Sequence, residues 1–96
     1  MKPSLALQSH RETIRLVVER HNACNVRAFG SVVHGDDHDG SDLDILIDPT
    51  PNTTLMDVAA IQVDLENILG VSVDVLTPNT LPTKFRQLVL DEAIPV

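Results

Sequence analysis

GSVVHGDDHDGSDLDILI, residues 30–47, joins a Gly-Ser pair to an Asp-x-Asp and then to an apolar run. Ten residues separate Ser31 from Asp42. The end of the stretch predicts a strand over Leu43–Ile47, apolar enough to be covered on both faces. On a strand, residues i and i+2 point the same way, so Asp42 and Asp44 lie side by side on one face. Two neighbouring carboxylates repel each other, and a hard divalent cation with oxygen ligands reverses that cost. Upstream, Asn25–Phe29 predicts another strand, ending at Gly30. A glycine at that point lets backbone N–H groups approach a phosphate closely, and Ser31 opens a short helix or turn reaching His34. The stretch therefore pairs a phosphate cradle, Gly30 and Ser31, with a metal clamp, Asp42 and Asp44.

A third acid stands in VSVDVL, residues 71–76. The alternation of Val71, Val73 and Val75 would let Asp74 face solvent from an edge strand. Beside Asp42 and Asp44, however, it reads as the third carboxylate of one metal site, because clustered acids mark metal and acid–base chemistry. Asp36, Asp37 and Asp39 invite a calcium-loop reading, which fails on count. With Gly40 at position six, position one is Gly35 and position twelve is Leu46, where a glutamate is required. Those three acids read as solvated loop residues. His34 and His38 read as exposed loop side chains, Cys24 as a small buried hydrophobe. Lys84 and Arg86 suit either phosphate contact, partner contact or a solvated helix face.

The pattern GS-x10-D-x-D resembles the DNA polymerase β-type nucleotidyltransferase superfamily. The longer string FGSVVHG…GSDLDILID is similar to its smallest members, the minimal nucleotidyltransferases, and nearest to the MntA-type antitoxins of two-gene modules whose other half is a HEPN-domain toxin. The C-terminal VSVDVLTPNTLPTKFRQLVLDEAIPV is also similar to the family's ending. The resemblance implies an enzyme that transfers AMP from ATP to a hydroxyl, a tyrosine's, of the HEPN toxin and so neutralises it. It implies two Mg²⁺ ions on Asp42, Asp44 and Asp74, and nucleotide contacts from Gly30, Ser31 and Ser41. Asp42 and Asp44 would hold both ions and Asp74 the one that activates the acceptor. Ser41 is also expected to bond the backbone before Asp42 and fix the strand start. The family more often has Arg where His34 stands and Ala where Val33 stands, so any phosphate contact from His34 is the weaker, pH-dependent kind. Two other functions compete with this one: a partner module that masks the toxin by binding without catalysis, and a small-molecule nucleotidyltransferase.

Composition narrows the field. Ninety-six residues make one domain, residues 1–96, with room for a single core and a single site. With two Phe, no Tyr and no Trp, the core must be aliphatic. A formal charge of −7 disfavours direct binding of long nucleic acid, which depends on Lys and Arg releasing counterions. One cysteine excludes an internal disulfide and agrees with a reducing cytoplasm. No early apolar run has signal-peptide or membrane-span length. With no second domain, the acceptor must bring its own surface, so a complex with the toxin is expected.

Along the chain the expected order is αβαβαβα: an α/β (α+β) fold with a small mixed sheet and flanking helices. Residues 1–8 are expected to be poorly fixed. Helix one should start at Ser9 or His10, capped by Ser9 with Glu12 completing a capping box, and run to His21 with Ile14, Val17, Val18 and His21 inward. Helix two should span Thr54–Leu69, burying Leu55, Val58, Ala59, Ile61, Leu65, Ile68 and Leu69. Strand three should be Val71–Leu76. A last helix from Pro82 to Asp91 should bury Phe85, Leu88 and Val89. The strand–helix–strand crossover makes strands two and three parallel. A site shared by Gly30 and Asp42 requires strand one to run antiparallel to strand two. Ile94–Val96 is a tail that either packs or serves as an interaction end.

Overall fold

Leu43, Ile45, Leu46 and Ile47 are wholly buried, so β2 (Leu43–Pro49) is covered on both faces as its composition requires. The computed structural model describes residues 1–96. Around β2 are α1 (Pro3–Ser9), α2 (Arg11–Arg20), β1 (Ala23–Phe29), α3 (Ser31–His34), α4 (Leu55–Leu69), β3 (Val73–Leu76), a 3-10 turn (Pro78–Thr80), α5 (Thr83–Glu92) and β4 (Ile94–Pro95). The sheet order is β3-β2-β1-β4. As expected, β1 is antiparallel to β2, and β2 is parallel to β3. The result is a mixed sheet with helices on both faces. No helix is long and apolar enough to cross a membrane.

Alternation divides the sheet into two faces. Ala28, Leu43, Ile45, Ile47, Val73 and Val75 meet Ile14, Val17 and Val18 of α2 and Ile61, Leu65 and Leu69 of α4 in one aliphatic cluster. Arg27, Phe29, Asp44, Leu46, Asp48, Asp74 and Leu76 occupy the opposite face, by their register across the three strands. On that face α5 provides only partial cover. β1 carries a bulge between Cys24 and Arg27, with Asn25 at φ 52. Asparagine is among the few non-glycine residues that tolerate this region.

α4 begins with a full capping box. Thr54 Oγ1 accepts from the Asp57 N–H, and the Asp57 carboxylate accepts from the Thr54 N–H at 2.9 Å. That second bond holds the Asp57 carboxyl below its ordinary range. Glu66 of the same helix accepts from the Val73 N–H at 3.1 Å and ties the helix end to β3.

Several expectations are corrected. Residues 3–9 form α1, whose Pro3, Ala6 and Leu7 are buried, because Pro3 presets the first turn and the side chains pack on the core. Ser9 therefore ends α1 rather than capping α2; His10 precedes α2, and no side-chain cap bond forms there. The stripe on α4 is narrower than periodicity suggests: Leu55 is 87% exposed, and Ile68 and Ala59 are exposed too. On α5, Phe85 and Leu88 stay 49% and 55% exposed, since no element lies over that side of the helix. Cys24 is exposed, its Sγ 3.6 Å from the Asp48 carbonyl. The strands also shift slightly: β1 starts at Ala23 and β3 at Val73. His21, expected inward, instead bonds Asp64 through Nε2 at 2.7 Å, bridging α2 to α4. The tail packs as β4, with Ile94 and Pro95 opposite Ala28 and Arg27. The Arg15 guanidinium donates to the Val96 carbonyl at 2.6 Å and holds it there.

Leu65 and Leu55, ten residues apart on one helix, separate burial from periodicity. Leu65→Ala should cost about 2–5 kcal/mol, the range for deleting a fully enclosed leucine. Leu55→Ala should stay within roughly 0.5 kcal/mol of wild type. Urea denaturation of both variants measures this, and equal losses would contradict the packing described.

Candidate active site

β2 and β3 place Asp44 and Asp74 on one rung: they are direct partners in the parallel register. Asp42 immediately precedes the strand, and its charge acts on the Asp44 carboxyl. Asp74 is exposed, with Val73 and Val75 buried on either side, so the alternation of β3 turns the acid to the open face. Asp44 is partly buried. Its carboxyl is pushed up to about 6, first by burial, then by the charges of Asp74 and Asp42. The three acids therefore share one electrostatic neighbourhood.

Their lack of compensation distinguishes them from the other acids. Asp48, on the same face further along β2, is neutralised by the Arg27 guanidinium and accepts from Asn25 Nδ2 at 2.7 Å. None of the four ion pairs in the chain includes Asp42, Asp44 or Asp74. Three carboxylates with oxygen donors only, one of them partly desolvated, form a donor set that suits Mg²⁺. No three acid, imidazole or thiol groups converge at ligating distances. The fit therefore rests on donor chemistry and on the rung that Asp44 and Asp74 share.

Gly30 joins the turn between β1 and α3 to this cluster. It sits at φ 77 and ψ −146, between β1 and α3, a region essentially restricted to glycine. A Cβ built there would overlap Asp44 Oδ2 and lie 3.2 Å from its Cγ. The backbone at Gly30 thus passes directly against the central carboxylate. Its carbonyl accepts from the Val33 and His34 N–H groups, and the Ser31 carbonyl accepts from the Asp36 N–H at 3.0 Å, winding α3 tightly.

The remaining candidates fall in different places. The Ser41 hydroxyl accepts from the His38 N–H at 2.9 Å, closing the loop just before Asp42. This matches its expected role at the strand start. His34 Nε2 lies 2.8 Å from Glu92 Oε2, joining α3 to the end of α5, and His38 Nδ1 is 2.8 Å from the Asp39 carbonyl. Asp37 is more than a solvated loop acid: it accepts from the Ser4 N–H at 2.8 Å, and that bond holds its carboxyl below the ordinary range. The loop thereby pins α1, a contact that no local pattern announces. Arg86 is committed to the 3-10 turn, donating from Nε to the Pro78 carbonyl at 2.8 Å and from its terminal nitrogen to Leu81. It is therefore not free for phosphate. Lys84 Nζ stands 5.7 Å from the Phe85 ring centroid.

Two outcomes follow. A carboxyl with a raised pKa binds its proton more tightly folded than unfolded, so protonation favours folding. Asp44 therefore contributes stability that is full below its ordinary pKa near ~4 and lost as pH rises through about 6. In metal-free buffer, wild type should lose on the order of 1 kcal/mol relative to Asp44→Asn across that interval, after allowance for solvent screening. Parallel melting curves for the two proteins would contradict this. Gly30→Ala should cost about 1–3 kcal/mol from the backbone conformation alone and should also displace Asp44. Gly35→Ala, at φ 75 but facing open space, should lose about 1 kcal/mol with Asp44 undisturbed. Thermal melting, together with carboxyl NMR shifts of Asp44, separates the two.

Comparison with known proteins places this geometry in a family. The polymerase β nucleotidyltransferase family model matches residues 12–96. The protein adenylyltransferase MntA of Thermococcus cleftensis is 31% identical over 88 residues, covering 92% of this chain and 86% of that protein. A solved structure described as a minimal nucleotidyltransferase superposes with a TM-score of 0.86 at 40% identity, covering 97% of this chain and 95% of the other. A toxin–antitoxin crystal structure with AMP-PNP shares the fold at TM-score 0.74 and 20% identity, over 88% of this chain and 69% of that one. With the Gly-Ser loop set against an Asp-x-Asp strand, and with a third acid on the same rung, the chain belongs to the polymerase β nucleotidyltransferase family.

Proposed function

We propose that this protein is an antitoxin enzyme: a Mg²⁺-dependent protein adenylyltransferase that moves AMP from ATP to a tyrosine hydroxyl of a HEPN-domain toxin. The observation that carries the reading is the uncompensated set Asp42, Asp44 and Asp74, with the Gly30 backbone against its centre. The T. cleftensis relative, named as a protein adenylyltransferase, supports protein as the acceptor. The shared fold of the toxin–antitoxin complex with AMP-PNP agrees with ATP as donor and a toxin as partner.

In the proposed reaction the acceptor oxygen forms a bond to the α-phosphorus and the bond to the bridging oxygen breaks, releasing pyrophosphate. Asp42, Asp44 and Asp74 would hold Mg²⁺, which would supply charge neutralisation at the phosphates and lower the pKa of the acceptor hydroxyl. Gly30 lets its backbone approach the β- and γ-phosphates, and the Ser31 hydroxyl donates to them. Ser41 keeps the strand start in place behind Asp42. Asp74, exposed at the sheet edge, is open to the acceptor and takes its proton. Positioning and charge carry most of phosphoryl-group chemistry, so few side chains suffice.

Asp74→Asn decides between catalysis and masking. The variant should keep ATP–Mg²⁺ binding through Asp42, Asp44, Gly30 and Ser31, yet transfer label from α-labelled ATP to the toxin at least ~100-fold more slowly. It should bind the toxin in cells without neutralising it. Neutralisation that survives with no AMP detectable on the toxin by mass spectrometry would make contact masking the function. Transfer at the wild-type rate would remove Asp74 from the site.

A further inference from the structure

We infer that Asp37 is a positioning residue for Asp42: by holding the loop 35–41 against α1, it sets where the chain enters β2 at that acid. The inference rests on the reading of Asp42 as a metal ligand and adds what puts that ligand in place.

The three acids are not placed by the same means. Asp44 and Asp74 are strand residues, direct partners across β2 and β3, and the register fixes both. Asp42 lies outside the strand. Bonding to the chain entering β3 begins one residue later, where the Leu43 N–H donates to the Ser72 carbonyl at 2.8 Å. The approach to Asp42 is therefore governed by the loop that leads to it. That loop contains two glycines and no regular element, so it keeps one conformation only where bonds hold it.

Some of those bonds are local. The Asp36 N–H donates back to the Ser31 carbonyl at 3.0 Å. The His38 N–H donates to the Ser41 hydroxyl at 2.9 Å, and the Ser41 N–H returns to the His38 carbonyl at 3.0 Å. Residues 38–41 are thus a closed turn, and a shift at Asp37 is passed on to Asp42. Two further ties leave the loop, and both reach the N-terminal segment. One is the ion pair of the Met1 ammonium with Asp39 at 3.2 Å, where the Asp39 side chain is 82% exposed. Such a pair contributes little.

The other tie is Asp37, whose Oδ2 accepts from the Ser4 N–H at 2.8 Å. That N–H lies in the first turn of α1 and has no partner within its own helix. The carboxylate thus meets an unpaired donor at the positive end of the helix, and Lys2 adds a favourable charge. Behind it, α1 is fixed by Pro3, Ala6 and Leu7, all buried. The bond therefore connects the loop to the aliphatic core. It also directs Asp37 away from the acid cluster, since the charges that act on Asp44 are those of Asp74 and Asp42 alone.

Asp37→Ala should keep the fold by circular dichroism and speed amide exchange at residues 38–42 of the metal-free protein, with the amides of Ile45 and Val75 unchanged. Titrated into the nucleotide-free protein and followed by the amide shifts of Asp42 and Asp44, Mg²⁺ should bind ~10-fold more weakly, the scale for losing a group that orients a ligand. AMP transfer to the toxin at limiting Mg²⁺ should fall by a similar factor and recover as Mg²⁺ is raised. Asp37→Ser, which falls short of the Ser4 N–H, should behave as Asp37→Ala. Asp37→Asn keeps an oxygen acceptor for that N–H and should stay close to wild type. Asp36→Ala removes the same charge one residue away, where the loop bond comes from the backbone, and should match wild type. Wild-type Mg²⁺ affinity in Asp37→Ala and Asp37→Ser would overturn the inference, even with faster exchange, and leave Asp37 a cap for α1. An equal loss in Asp36→Ala would also overturn it, by reducing the effect to net charge. If wild type transfers no AMP to the toxin while the Mg²⁺ affinities still differ, the adenylyltransferase reading fails and the positioning role stands. No Mg²⁺ binding by wild type overturns both.

Discussion

The rung that pairs Asp44 with Asp74 depends on one register, fixed by burial rather than by the acids themselves. Leu43 pairs with Val73 and Ile45 with Val75, and all four point into the aliphatic core beneath α2 and α4. A slip of one residue would turn those four side chains to the open face and bury both carboxylates. The free energy of burying aliphatic side chains therefore holds two repelling charges opposite each other. The helices, the crossover through α4 and the capping box at Thr54 all serve that alignment, because each fixes where β3 enters relative to β2.

The site is thus a local departure from what favours folding. A partly buried, unneutralised carboxylate with two like charges beside it costs stability, while Asp48 on the same strand shows the alternative, a guanidinium in contact. The chain keeps the costly arrangement only at the end of the sheet where Gly30 passes. A residue with any side chain at position 30 would compete for the space of the Asp44 carboxylate. The glycine is tied to the acid by space as well as by its backbone conformation.

Much of this was legible in the sequence where local pattern and tertiary packing agree. The span of α3, the burial of β2 on both faces, the antiparallel and parallel pairings and the stop at Gly70 followed from spacing, apolar runs and turn residues. Alternation decides the face of Asp74 once strand three is known, but the residue became a candidate only through its clustering with Asp42 and Asp44 and through the family resemblance. What was hidden depends on partners remote in sequence. α1 is fixed by the core and by Asp37, thirty-three residues away from Ser4. The faces of α4 and α5 were misjudged because periodicity reports amphipathicity, not what lies opposite. Leu55, Phe85 and Leu88 have the spacing of core residues, but no element covers them. The commitment of Arg86 to the 3-10 turn is likewise a matter of which carbonyls come within reach.

The two ends of the sheet have a bearing on colloidal behaviour. One border is β4, two residues long and closed by Pro95, which has no N–H to offer a neighbouring molecule. The other is β3, four residues long, with the N–H of its first residue already taken by Glu66. A four-stranded sheet left with long bare borders would template stacking of chain on chain. Here both borders are too short or already engaged to do so. A charge of −7 adds like-charge repulsion between copies of the molecule.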